Sequence, residues 1–145
     1  MISRTSEYAI RALTTIARLE RSEPVLVREI SETSGVPRNY LSKILNRLRQ
    51  NHLVTSERGP GGGFQLARPA LETTVYEIVA TFEEIESQRS CFLGDDSCAE
   101  GDICQAASRW CTVWHSYEAF LRETTLDHLA FHDSKHPRNA AGMGS

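Results

Sequence analysis

GVPRNYLSKILNRLRQNHLVTSERGPGGGFQLAR, residues 35–68, carries two periodicities in one run. In its first half Leu41, Ile44, Leu45 and Leu48 recur at helical spacing. Arg38, Asn39, Ser42, Lys43, Asn46 and Arg47 fall on the opposite face of the same helix. Pro37 suits the first turn, where its missing N–H is not needed. In its second half Leu53-Val54-Thr55 and Phe64-Gln65-Leu66 read as strands. Arg58-Gly59-Pro60-Gly61-Gly62-Gly63 between them forms only a turn. A helix followed by a hairpin with a glycine-rich tip is the order of a winged helix.

Upstream, Leu26, Val27, Ile30 and Thr33 predict a short helix closed at Ser34-Gly35, with glycine supplying a positive φ. Two short helices around a tight turn are the sequence form of a helix-turn-helix. A first helix over about 4–20 carries Ile10, Leu13 and Ala17 inward, with Ala9 and Ile16 beside them. Downstream, Pro69 ends the hairpin. Thr73-Thr74-Val75-Tyr76-Glu77 offers a threonine cap to a helix reaching about Glu84, with Val75, Ile78, Val79 and Phe82 inside. Trp110, Val113, Trp114, Tyr117 and Leu121 form an apolar stripe on a helix over about 105–123, which needs a partner surface. Thr124-Thr125 caps a last short helix, LDHLAF. The tail 132–145 has no large apolar residue except Met143 and is expected to be disordered.

The 145 residues suit one domain with a real core, and no apolar run approaches a membrane span. The N-terminus has charges where a signal peptide needs its apolar region, so a cytoplasmic protein is expected. The net charge of −3 hides an asymmetry. Residues 1–68 carry 11 Lys and Arg against 6 Asp and Glu, while residues 69–145 carry 5 against 13. A basic first half is the footprint a phosphate backbone requires. On the helix running through PRNYLSKILNRLRQN, residues 37–51, arginine and asparagine can read guanine and adenine, while Lys43 and Arg47 can follow one groove wall. Tyr40 and Ser42 can donate to phosphates. Arg58 can enter a minor groove, and Gly61 lets backbone approach the duplex. Double-stranded DNA is therefore the expected partner. No Ser/His/Asp or Cys/His catalytic arrangement is present, so no enzyme is expected.

Between hairpin and stripe lies CFLGDDSCAEGDIC, with Cys91-x6-Cys98-x5-Cys104. Glycines and acids there favour turns, and in a reducing compartment such thiols are metal ligands or reactive groups. An iron–sulfur cluster, a zinc ion and a thiol switch all remain open on chemistry alone. The absence of a CxxC knuckle counts against zinc. Use as an electron carrier or redox enzyme is a third class, against which the wing and basic helix speak.

SEYAIRAL at the N-terminus, the helix-turn-helix and wing quoted above, and the three-cysteine loop together resemble the Rrf-two family of IscR- and NsrR-type bacterial regulators. The resemblance covers about residues 1–130. It implies a mainly α fold, a winged helix-turn-helix DNA-binding domain with a long C-terminal dimerisation helix. The corresponding organisation is a DNA-binding domain over 1–85, a cluster loop over 86–104, a dimerisation helix and short last helix over 105–131, and a disordered tail over 132–145. It implies a homodimer on a pseudo-palindromic operator. It also implies a [2Fe-2S] or [4Fe-4S] cluster on Cys91, Cys98, Cys104 and one other residue. IscR-like members have a histidine three residues after the third cysteine; here that position is Ala107. NsrR-like members use a carboxylate of the first helix, given by the partner subunit; the matching residue is Glu7. Cys111 is the rival ligand, although beside Trp110 it is expected to be a small core residue. The signal sensed by such a repressor could be redox state, nitric oxide, oxygen or iron–sulfur status. The alternative is a cluster-independent regulator with zinc or a thiol switch.

Overall fold

The computed structural model describes residues 2–59, 62–89, 92 and 105–131. Cys91, Cys98, Cys104, Gly61 and the tail 132–145 lie outside the described residues. Six α-helices and one two-stranded sheet follow in chain order: α1 (Arg4–Leu19), α2 (Val27–Ser34), α3 (Arg38–Gln50), β1 (Val54–Glu57), β2 (Gly63–Leu66), α4 (Val75–Ala80), α5 (Ala107–Glu123) and α6 (Leu126–Ala130). Short 3-10 turns stand at Ala70–Glu72 and Ile85–Arg89. This is the expected mainly helical winged-helix architecture.

The core is built by the periodic residues. Ala9, Ala12, Leu13 and Ile16 of α1, Ile30 of α2, and Leu41, Ile44, Leu45 and Leu48 of α3 form one buried cluster with Val54, Ile78 and Leu126. Removing a side chain such as Leu45, which is fully buried, costs about 2–5 kcal/mol. The turn between α2 and α3 closes on Gly35 at φ 76°, a conformation that glycine adopts without penalty. Two residues expected inward on α2 are not. Leu26 is the N-cap and 43% exposed, and Thr33 is exposed. With only eight residues, α2 buries the single line through Ile30.

β1 and β2 pair antiparallel, with Val54 opposite Leu66 and Glu57 opposite Gly63. Val25 joins them by exchanging two backbone hydrogen bonds with Phe64, at 2.8 and 2.9 Å. A Cβ at position 63 would collide with the Val25 carbonyl, so glycine is what allows this approach. Arg68 at the root of the wing donates to Glu77 at 2.8 Å, fastening the hairpin to α4.

α4 begins with a full capping box, Thr74 and Glu77 bonding each other's backbone N–H. It is shorter than expected and ends at Ala80 instead of near Glu84. Hydrogen bonds there tighten to i+3, Thr81 N–H to the Ile78 carbonyl and Phe82 N–H to Val79. The tightened chain brings Glu83 to the start of α1, where Ser3 N–H donates to it at 3.0 Å.

α5 packs its Trp114 and Leu121, each 1% exposed, against Val75, Val79 and Ile85. α6 follows at once, capped by Thr125 with His128. Arg18 of α1 donates to the carbonyls of Ala130 and Leu129, both at 3.2 Å, and so satisfies the end of α6.

Candidate functional site

α3 exposes the polar face that the sequence predicts. Arg38, Asn39, Ser42, Lys43, Asn46 and Arg47 are all exposed, while the other face is buried in the core. No ion pair engages Arg38, Lys43, Arg47 or Arg58 among the described residues, so their charge is available to a ligand. Asn46 is different: its side-chain carbonyl accepts from Arg49 at 2.8 Å. Ser42 donates to the Arg38 carbonyl at 3.3 Å. Tyr40 is exposed and lies beside Tyr8 of α1, ring centroids 6.0 Å apart and tilted by 45°. Arg58 is exposed at the end of β1, next to Gly59 at φ 103°. Gly61 lies outside the described residues.

Spacing within α3 did not reveal that Arg4, Thr5 and Tyr8 of α1 share a cleft with Tyr40, Lys43 and Ile44. The available signal was the one-turn separation of Arg4 and Tyr8 on the predicted first helix.

Glu7 stands in the first turn of α1, its side chain 49% exposed, with Arg11 at 3.4 Å. An exposed pair of this kind contributes little stability, so the carboxylate is free to be recruited. Cys91, Cys98 and Cys104, the other expected ligands, lie outside the described residues. Among the described residues no cluster of metal-ligating side chains occurs. Cys111 corrects an expectation: it is exposed on α5 rather than a core residue. Trp114 and Leu121 mark the buried line of the helix, and at 100° per residue Cys111 lies about 60–80° off it. His115 is exposed too.

The described residues that flank the cysteine loop are tied to the fold. Glu83 accepts from Ser3 N–H at 3.0 Å, from the Ser3 hydroxyl at 3.1 Å and from the Ser6 hydroxyl. Gln88, three residues before Cys91, donates to the other Glu83 oxygen at 3.3 Å. Partial burial pushes the Glu83 carboxyl upward, but the bonds from Ser6, Ser3 and Gln88 outweigh it and hold the pKa below its ordinary value. On the far side, Phe92 meets Trp110 edge to face at 5.3 Å.

The expected stripe is mostly spent within the chain: Trp114 and Leu121 are buried and Trp110 and Tyr117 pack beside them, so of its members Val113 alone stays well exposed, at 51%. Phe120, outside that stripe, is 57% exposed seven residues after Val113, and the two form an apolar line on another face.

A basic helix with free cations, set beside a wing with an exposed arginine, defines a winged-helix DNA-binding protein. Comparison with known proteins narrows this. Residues 2–132 match the family model Rrf2, described as iron-dependent transcriptional regulator, and the chain belongs to that family. It is 36% identical over 122 residues to a putative HTH-type transcriptional regulator, ORF2, of Azotobacter vinelandii, covering 84% of this chain and 74% of the relative. The HTH-type transcriptional regulator IscR of Pectobacterium atrosepticum matches with the same identity and coverage. Among solved structures, T. potens IscR superposes with a TM-score of 0.71 at 28% identity, covering 89% of this chain and 85% of that one. CymR, the global cysteine regulator of B. subtilis, also gives 0.71, at 26% identity and covering 90% and 95%. The chain is a transcription regulator similar to IscR and CymR, and these relatives are regulators rather than enzymes.

Proposed function

We propose that this regulator is a homodimeric repressor of the cytoplasm, bound to a pseudo-palindromic operator with an affinity set by an iron–sulfur cluster. The observation that carries the control step is the double use of Glu83. One carboxylate caps the start of the helix that bears Glu7, and the same carboxylate holds Gln88 at the mouth of the cysteine loop. Any change in how residues 91–104 are held is thereby passed to α1, which packs on α2 and α3.

The donor set suits the group. Three thiolates suit an iron–sulfur cluster, as they also suit zinc, and a lightly engaged carboxylate completes the ligand count. Cys91, Cys98, Cys104 and Glu7 would hold it, with Glu7 given by the partner subunit as in NsrR-like proteins. Bound there, a [2Fe-2S] or [4Fe-4S] cluster supplies a centre sensitive to redox state, nitric oxide or iron supply. The working units are the reading domain 1–85, the loop 86–104, the dimerising segment 105–131 and the tail 132–145. Arg38 and Asn39 read bases, Tyr40, Ser42, Lys43 and Arg47 hold phosphates, and Arg58 with Gly61 serves the minor groove. Val113 and Phe120 face the twin subunit.

One finding favours a second reading. Staphylococcus aureus CymR, 26% identical with a TM-score of 0.70 and covering 92% of this chain, has been solved in an oxidized form. A thiol switch on the same cysteines would need no metal. Anaerobic purification separates the two: visible absorption that disappears on cluster removal, together with a change in operator affinity, supports the cluster. Colourless protein whose affinity responds to oxidant and thiol reductant supports the switch.

A further inference from the structure

α1 and α3 enclose a cleft of about 300 Å³, lined by Arg4, Thr5, Tyr8, Tyr40, Lys43 and Ile44. Its inner wall is apolar: Ile44 is buried, and Tyr8 packs on the core. Its polar groups are two cations and three hydroxyls, with no carboxylate among the lining residues. Arg4 stands one turn before Tyr8, and the neighbouring Tyr8 hydroxyl, ahead of the nearby Glu7 charge, raises the guanidinium pKa above its ordinary value. Neither Arg4 nor Lys43 is in an ion pair among the described residues; the Glu7 carboxylate is engaged by Arg11 at 3.4 Å.

Two unpaired cations and several hydroxyls around one opening recognise an oxyanion through charge-assisted hydrogen bonds. Lys43 and Tyr40 also belong to the exposed face of α3, so the opening is continuous with the reading surface. A duplex lying along that face brings its own oxyanions, the backbone phosphates, which fix register rather than sequence. We propose that the cleft between α1 and α3 seats a backbone phosphate of the operator, with Arg4 and Tyr8 as its positioning residues. The first helix then contacts DNA in its own right, a conclusion that rests on the DNA-binding reading above.

The experiment is fluorescence anisotropy of the full chain on operator and unrelated duplexes across a salt series. Arg4→Ala should lower the slope of log affinity against log salt by about 0.9, one phosphate's worth of released counterion. Its affinity loss should be equal on both duplexes, because a phosphate contact carries no sequence information. Tyr8→Phe should weaken both about two- to ten-fold, one hydrogen bond's worth, with the slope retained. Arg28→Ala, an exposed α2 cation outside the cleft, should leave slope and affinity at wild-type values. A wild-type slope for Arg4→Ala overturns the proposal, as does a loss confined to the operator, which would mean base reading. Displacement of wild-type protein by millimolar inorganic phosphate, with the Arg4→Ala slope unchanged, would assign the cleft to free phosphate and overturn it too. If an Arg38/Lys43/Arg47 triple alanine variant binds like wild type, the α3 reading itself fails. That result is distinct from failure at Arg4 alone, and it also removes the proposal's basis.

Discussion

The Ser6 hydroxyl donates to the Glu83 carboxylate across 77 residues of sequence. Ser6 is fully buried, and no other described residue hydrogen-bonds its side chain except Ser3. This bond joins the first turn of α1 to the segment that leads into the cysteine loop. Glu83→Gln keeps the shape but loses the charge. It should destabilise the fold by about 1 kcal/mol at neutral pH, a charged hydrogen-bond value discounted for the partial exposure of the group.

The sign of the pH dependence follows from the depressed pKa. A carboxylate with a folded value below its unfolded one stabilises the protein above the unfolded pKa of about 4.3, and this is lost as pH falls through the folded value. Glu77 behaves the same way: burial raises its pKa, and bonds from Thr74 and Arg68 lower it further than burial lifts it. The stability gap between wild type and Glu83→Gln, measured by denaturant unfolding, should therefore be largest near neutrality and shrink in acid. A gap that grows as pH drops would contradict the hydrogen-bond account.

The two apolar lines of α5 should respond differently to mutation. Trp114→Ala removes a buried side chain and should cost about 3–5 kcal/mol in thermal or chemical unfolding. Phe120→Glu alters an exposed position, so the fold should survive while sedimentation shows monomers. A wild-type monomer at micromolar concentration would remove the dimer from the account.

Much of this fold was legible in the sequence because its periodicities are strong. The Leu41, Ile44, Leu45, Leu48 line of α3, the wing and the threonine pairs 73–74 and 124–125 as caps were all visible as patterns, and the structure selects Thr74 and Thr125 from those pairs. What was not legible depends on tertiary contact. Nothing local says that α4 must stop at Ala80 so that Glu83 can reach Ser3 and Ser6. Nor does a stripe reveal which part of it is spent inside its own chain, as Trp114 and Leu121 are. Cys111 read as core because of its tryptophan neighbours, yet a rotation of about 60–80° around the helix is enough to face solvent.

On the reading helix, Lys43→Ala and Arg47→Ala should each reduce the salt slope by about 0.9 if each holds one phosphate. Arg38→Ala or Asn39→Ala should instead cost about 1–3 kcal/mol on the operator and relax one base position. Binding to a panel of single-base operator variants distinguishes the two patterns.

The ligand set is tested by comparing Glu7→Ala with Cys111→Ala under anaerobic conditions. Glu7→Ala should still assemble a cluster on three thiolates, but one that is lost faster and has an altered absorption spectrum. Cys111→Ala should match wild type. The reverse pattern would replace the carboxylate with a fourth thiolate and remove cross-subunit ligation from the account.

Anaerobic titration of operator DNA with wild-type protein and with Cys98→Ser, absorption and affinity read on the same samples, tests cluster control most directly. The account predicts visible absorption in wild type only, and operator affinities that differ between the two proteins. Colourless wild-type protein, or the same operator affinity in both, would contradict it.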